Sequence, residues 1–433
     1  AHGQQGEVVI MSKELNIREE LDFYRRELLE NILPFWIERA LDRDYGGYFT
    51  CFNNGGTELV STDKYVWSQG RLVWVFAELA AMLGEERFLD YAKLGVDFLL
   101  QHALLEDGSA AFLLSRTGEP KEPTPGSGFA TSIYADCFVV LGLSRYAQVT
   151  NSRDILQFAK ELYQSIERRL QGEFRTDPYP IPPGMCAHGV AMIMLTTSQE
   201  LRDAQRALGD VTCVQTNEKC RGYVQLIFDY FCKDGLLQEM VHLDQPGESL
   251  LERYINPGHS LECLWFMLHQ ALEDGDQALV EACADLIENT YKVGWDEHYG
   301  GLLLFVDREG GPPRGEVGDL AGHPMVHKVQ QDWSHKLWWP HSEALYTTLL
   351  AYHLTKRSAF LELYAQTKDY TFRTFPHPDP AVGEWIQIRD RQGAPLEAVV
   401  ALPVKDPFHI ARCLMLILQL LEKMEQPSGG GAK

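Results

Sequence analysis

Three histidines in this chain stand where proton transfer is most easily arranged. In Asn256-Pro257-Gly258-His259-Ser260-Leu261-Glu262, in Trp339-Pro340-His341-Ser342-Glu343 and in Asp406-Pro407-Phe408-His409, an imidazole follows a proline just ahead of an apolar run. Asn256 reads as an N-cap and Pro257 as the first helical residue, where the missing N–H costs nothing. His259 then falls in the first turn, with Glu262 three residues on along the same face. A helix N-terminus carries partial positive charge, which disfavours imidazolium and predicts a neutral histidine able to accept a proton. The three imidazoles can cooperate only if their helices start on one rim.

The chain carries a repeat that would build such a rim. A strand-like apolar run, a polar Gly/Pro turn and further extended residues recur as GGYFTCFNNGGTEL (46–59), AAFLLSRTGEPK (110–121), EFRTDPYPIPPG (173–184), GLLQEMVHLDQPG (235–247), GLLLFVDREGGPP (301–313) and EWIQIRDRQGAPL (384–396). Most copies start about 60–66 residues apart, and an insertion at about 311–335 lengthens the last interval. Each copy is followed by an apolar helical pattern: 64–83, 129–148, 185–202, 257–273, 336–354 and 407–425. More highly charged patterns follow the first five at 85–102, 151–170, roughly 217–233, 276–292 and 357–374, and the amphipathic segment 14–40 supplies a sixth. Six hairpins and twelve helices predict an all-α fold, an (α/α)6 barrel with six inner and six outer helices and short β-hairpins at one end. One barrel domain is expected over 14–425, between a flexible leader (1–13) and a flexible tail (426–433).

Gathering the polar and aromatic residues near the inner-helix starts gives Tyr65, Trp67, Gln69 and Arg71; Ser132 and Asp136; His188; Asn256, His259 and Glu262; Trp338, Trp339, His341 and Glu343; His409 and Arg412. Aromatic walls with a few cations, carboxylates and imidazoles suit a sugar, whose C–H faces stack on rings while its hydroxyls take polar groups. Singly, each of these residues also reads as a cap or a core residue. Their recurrence at equivalent points of a repeat argues for a shared pocket, because independent packing roles have no reason to align.

Composition narrows the alternatives. A formal net charge of -22 disfavours a nucleic-acid partner, and no apolar run approaches the roughly 20 residues of a membrane span. Nine cysteines with no C-x-x-C read as reduced thiols of a cytoplasmic protein. His323, His327, His335 and His341 with Asp332 form a His-rich tract, but their spacing matches no compact zinc motif, so no metal is expected. Gly310–Gly315 lacks the Lys-Ser/Thr ending of a phosphate-binding loop, and no G-x-S-x-G occurs.

KYVWSQGR (64–71), NPGHSLE (256–262), GWDEHYGG (294–301), KLWWPHSEA (336–344) and FHIAR (408–412) closely resemble the N-acylglucosamine 2-epimerase family, over about residues 20–425. The resemblance implies the same (α/α)6 barrel. It also implies an essential set of Arg71, His259, Glu343, His409 and Arg412, with Glu262 in support. Two features depart from the family pattern: Ala411 stands where proline commonly precedes the last arginine, and the 311–335 insertion has no counterpart.

The reaction so implied inverts C2 of an open-chain aldose, between the N-acetylglucosamine and N-acetylmannosamine configurations. His259 and His409 would exchange the C2 proton on opposite faces, Arg71 and Arg412 would face the charge on O1, and Glu262 and Glu343 would tune the imidazoles. Tyr65, Trp67, Gln69, Asp136, His188, Asn256, Trp338, Trp339 and His341 are the candidates for holding the sugar. No cofactor is required, and the resemblance raises ATP as an allosteric activator. Exposed outer-helix faces leave room for a homodimer. The rival readings are a neutral-sugar 2-epimerase or an aldose–ketose isomerase on the same scaffold, a glycoside hydrolase pairing Asp136 with Glu343 or Glu262, and a binding protein without catalysis.

Overall fold

A computed structural model describes residues 14–426, so the expected leader and nearly all of the expected tail lie outside the described residues. The segment 14–40 is not one rod. It forms α1 (Ile17–Arg26), a π-helical stretch (Glu27–Ile32) and α2 (Leu33–Arg39). Pro34 removes a main-chain donor, and the wider π-turn before it accommodates the loss.

The helices then follow in pairs: α3 (Val66–Leu83) and α4 (Arg87–His102), α5 (Ile133–Thr150) and α6 (Arg153–Leu170), α7 (His188–Ala207) and α8 (Cys213–Tyr230). A short α9 (Leu250–Arg253) precedes the pair α10 (Pro257–Asp274) and α11 (Gln277–Gly294), and α12 (Pro324–Asp332) lies within the insertion. The pair α13 (Trp338–Thr355) and α14 (Ser358–Thr374) leads to α15 (Phe408–Glu425). Helices α3, α5, α7, α10, α13 and α15 each pack on the next, and α15 returns to α3, closing the inner ring. Outside it, α4, α6, α8, α11 and α14 pack on their partners, and α1 covers α15. The chain is an (α/α)6 barrel.

Burial separates the two layers as the patterning requires. Inner helices are buried nearly all round, whereas α6 buries only Leu156, Ala159, Leu162, Tyr163 and Ile166, one stripe at helical spacing. The tightest seam joins α3 to α5. A Cβ at Gly70 would stand 2.3 Å from the Phe138 carbonyl oxygen, and one at Gly142 would stand 2.3 Å from that of Gly70. Only glycine permits this approach of the two backbones.

The strands correct one expectation. Among the described residues, regular local hairpins form at 113–121, pairing Leu113–Leu114 with Pro120–Lys121, and at 232–237, pairing Cys232–Lys233 with Leu236–Leu237, while 46–59 and 384–396 close only through the isolated bridges Phe52↔Leu59 and Arg389↔Pro395. The recurring pairing is longer in range, joining residues just before an inner helix to the segment after the next outer helix. It appears as Lys64↔Leu114, Ser132↔Thr176, Ala187↔Met240, Tyr254↔Asp307 and Lys336↔Arg389. These bridges gather the inner-helix N-termini on one rim.

Two copies of the repeat match atom for atom. Lys64 Nζ donates to Asp42 Oδ2 (2.7 Å) and to the carbonyls of Gly46 and Arg116, while Arg116 Nε donates to Asp42 (3.0 Å). Lys336 Nζ donates to Asp296 Oδ2 (3.0 Å) and to the carbonyls of Gly300 and Arg391, while Arg391 Nε donates to Asp296 (2.9 Å). Both lysine side chains are fully buried. Each sits immediately before an inner helix and fixes the turn that precedes it.

Candidate active site

The first turns of the six inner helices surround one cavity of about 170 Å³. An apolar cavity of about 150 Å³ takes a benzene-sized guest, so this space is on the scale of one sugar ring. Both His259 and His409 line it.

His259 is placed by its cap. The Asn256 side chain accepts from the His259 main-chain N–H at 3.0 Å, as the NPGH spacing predicts. Its Nδ1 lies 3.2 and 3.3 Å from the two carboxylate oxygens of Glu239. A carboxylate only accepts, so Nδ1 carries a proton and Nε2 is the nitrogen left for a ligand. Behind Glu239 stands His188, with Nδ1 3.6 Å from Oε1. Burial alone would push the His259 pKa down, but the Glu239 charge outweighs it and raises it above 6.5. The expectation of a histidine held neutral by its helix is therefore corrected: a full carboxylate charge in contact exceeds a partial charge at a helix end. Glu239 itself is held down to about 2 against burial, by His259 and His188.

His409 lies deeper, with 8% of its side chain exposed against 27% for His259. Its Nδ1 bonds Glu343 Oε1 at 2.7 Å and stands 3.3 Å from Glu262 Oε2. Here too burial lowers the pKa while the carboxylates, Glu262 foremost, raise it further than burial lowers it. Arg412 Nη2 binds both carboxylates, at 2.5 Å to Glu262 and 2.7 Å to Glu343. Glu343, fully buried, also accepts from Trp265 Nε1 at 2.6 Å. Glu262 thus belongs with His409 and Arg412, not with its sequence neighbour His259. Glu343 is likewise no partner of Lys336, which binds Asp296.

Arg71 brings a guanidinium beside the second imidazole. Its Nη2 is 3.4 Å from His409 Nε2, its Nη1 is paired with Asp406, and it lies over the rings of Phe138, Phe408 and Trp67. The Trp339 indole packs against both imidazoles. Trp67, Trp338 and Asn256 complete the expected residues that reach the wall.

Five of the expected sugar-binding residues do not line the cavity. Tyr65 packs edge-on against Phe112. Gln69 accepts from the Tyr48 main-chain N–H (2.7 Å) and donates to its carbonyl. Asp136 accepts from the Ala110 N–H (2.9 Å) and pairs with Arg169. His341 Nε2 accepts from the Leu302 N–H (2.9 Å), and its Nδ1 donates to the Leu337 carbonyl. His188 is fully buried behind Glu239. Positions two apart on a helix face different ways, so where Trp67 and Arg71 face the cavity Gln69 turns from it, and His341 turns from it where Trp339 faces in. Gln69, Asp136 and His341 do recur at equivalent points, but the function they share is to hold the turn ahead of their helix. Packing roles align in this fold after all.

Sequence reasoning missed Glu239, Asp406, Tyr179 and Trp265. The first three lie in connecting segments, and Glu239 reaches His259 only because Met240 pairs with Ala187. Among the described residues, one trio of groups is close enough to share a metal ion, Glu262, Glu343 and His409. Both of its carboxylates are already bonded to the Arg412 cation. Of the His-rich tract, His323 caps α12 by accepting from Met325 N–H, and His335 faces Asp332.

Comparison with known proteins agrees with this architecture. The family described as N-acylglucosamine 2-epimerase (GlcNAc 2-epimerase) matches residues 47–413. The N-acylglucosamine 2-epimerase of Rattus norvegicus is 30% identical over 435 residues, covering 95% of each chain. Among solved structures, the cellobiose 2-epimerase of Spirochaeta thermophila superposes with a TM-score of 0.75 at 18% identity, covering 95% of this chain and 98% of that one. A D-mannose isomerase gives 0.70 at 17% identity, covering 96% and 100%. At these identities the two structures speak for the fold alone.

Proposed function

The chain belongs to the N-acylglucosamine 2-epimerase family, and we propose that it interconverts N-acetylglucosamine and N-acetylmannosamine by moving the C2 proton of the open-chain sugar between His259 and His409. One observation carries this reading: two imidazoles from non-adjacent inner helices line one cavity, each with Nδ1 held by its own carboxylate, and the Arg71 guanidinium stands beside Nε2 of His409.

In this reading one neutral histidine takes the C2 proton, and the C–H electron pair delocalises onto O1 of the adjacent aldehyde. The other histidine, protonated, then delivers a proton to C2 from the opposite face and restores the aldehyde. Carboxylate pairing raises both pKa values against burial, so each imidazole can hold the proton it is to deliver. Arg71 is the cation placed for the charge on O1, a contact whose removal typically costs about 3 kcal/mol of barrier. Arg412 spends Nη2 on Glu262 and Glu343, so its part is to hold the two acids that orient His409. Glu239 does the corresponding positioning for His259.

The scheme uses protein side chains alone and needs no cofactor; ATP enters only as an activator to be assayed. The glycoside hydrolase alternative loses its acid pair, because Asp136 is occupied by Arg169 and the Ala110 N–H away from the cavity. A cytoplasmic site and a homodimer are part of the same proposal. Nine unpaired cysteines support the former, and light scattering in solution tests the latter.

The test is incubation in D2O, with and without ATP, with N-acetylglucosamine, N-acetylmannosamine, glucose, mannose or cellobiose, followed by NMR. Deuterium at C2 together with the inverted N-acetyl epimer is the expected result. A ketose product would make the protein an isomerase instead, and inversion confined to unacylated sugars would make it a neutral-sugar epimerase.

A further inference from the structure

Two segments meet over the cavity. Met325 and Lys328 on α12 line it from one side, and Val400–Leu402 with Val404 from the other. Lys328 Nζ donates to the Val400 carbonyl and lies 5.4 Å from the ring centre of Tyr179, also on the wall.

Every other cation on this wall has a carboxylate: Arg71 has Asp406, Arg412 has Glu262 and Glu343, His259 has Glu239, and His409 has Glu343 and Glu262. Among the described residues, no carboxylate is in ion-pair contact with Lys328. Asp332, one turn along α12, stands 4.0 Å from His335 instead. An ammonium has three donors, and the protein occupies one of them. Burial presses the Lys328 pKa down, and the charge of Asp332, out of ion-pair contact, offsets this only in part.

A 2-acylamino group offers what this wall lacks, a strong amide oxygen beside a methyl group. A sugar with a plain hydroxyl at C2 offers neither. A phosphate or carboxylate would call for several convergent donors, and here the companions of the single ammonium are Met325, Leu402, Val404 and the Tyr179 ring. We propose that Lys328 receives the acyl carbonyl oxygen of the substrate while Met325, Leu402 and Val404 enclose the acyl methyl, making Lys328 the residue that selects acylated over unsubstituted sugars. This rests on the N-acetylated substrate proposed above.

The test compares wild type with Lys328→Met, which keeps the stem length and removes the donors. The readout is the ratio of the inhibition constant of mannose to the KM for N-acetylmannosamine. Losing a hydrogen bond to a charged group predicts a fall in that ratio of about tenfold or more, and Lys328→Gln, which retains an uncharged donor, should fall less. A ratio that holds while both constants worsen would show Lys328 to be only a strut to Val400 and overturn the assignment, as would no change in either constant. If Lys328→Met fails to fold by circular dichroism, the same ratio in Lys328→Gln decides. Wild type that acts on mannose but on neither N-acetyl epimer removes the substrate reading and this inference together, whereas wild-type preference retained in both variants removes this inference alone.

Discussion

The Trp339 indole packs against both His259 and His409, its ring centroid 5.1 Å from the first imidazole and 5.4 Å from the second, with interplanar angles of 36° and 34°. One rigid side chain therefore fixes the spacing of two groups that lie 150 residues apart in the chain.

The proposed division of labour predicts an asymmetric defect. His259→Ala and His409→Ala should each reduce epimerisation by about 10²–10⁴-fold with unchanged circular dichroism. Each variant should still exchange the C2 hydrogen of one epimer with D2O, a different epimer in the two cases. Near-normal epimerisation in both variants would end the two-base scheme.

Glu239→Gln should move a pH limb in a direction that can be worked out beforehand. With Glu239 ionised, His259 has a raised pKa and stays protonated, hence useless as a base, to higher pH. Removing the charge leaves burial, which lowers the pKa, so the acid limb of kcat/KM shifts to lower pH in the direction His259 serves as base. The opposite direction, served by His409, should keep its limb. Profiles measured both ways check the sign, and no displacement in either would place Glu239 outside the proton chemistry.

The paired lysine sockets predict matched instabilities. Asp42→Asn strands the buried Lys64 ammonium and Asp296→Asn strands Lys336, and breaking a buried pair from one side costs about 3–5 kcal/mol. Urea midpoints should drop similarly for both. Asp42 is held down to about 2 by Arg116 and Lys64 in spite of burial. A depressed folded-state pKa stabilises above the unfolded value of about 3.9. That contribution should be lost as pH falls from about 4 toward 2, a loss that Asp42→Asn no longer shows.

The helices and their order were legible because each inner segment is apolar over its whole length and each outer one along a single stripe. The Asn256 cap was legible because its geometry is local. The facing of the inner helices was not: a helix buried on every side gives no periodic signal to say which polar residue looks inward. Arg71 and Gln69 are therefore indistinguishable in sequence although one reaches the cavity and the other holds a turn. Glu239 was hidden for another reason, since the pairing of Met240 with Ala187 that brings it to His259 depends on a register no single segment encodes.

Helix α15, which carries His409 and Arg412, leans on α3 along one side and is roofed by α1. A chain emerging from the ribosome would hold α1 and α3 unclasped until α15 arrived. On the two-base proposal, five of the six inner helices are synthesised before the second imidazole, so the acid–base pair is completed by the last of the ring helices. Such late clasping of distant partners slows folding, since the loop must be closed before its contacts repay the entropy lost.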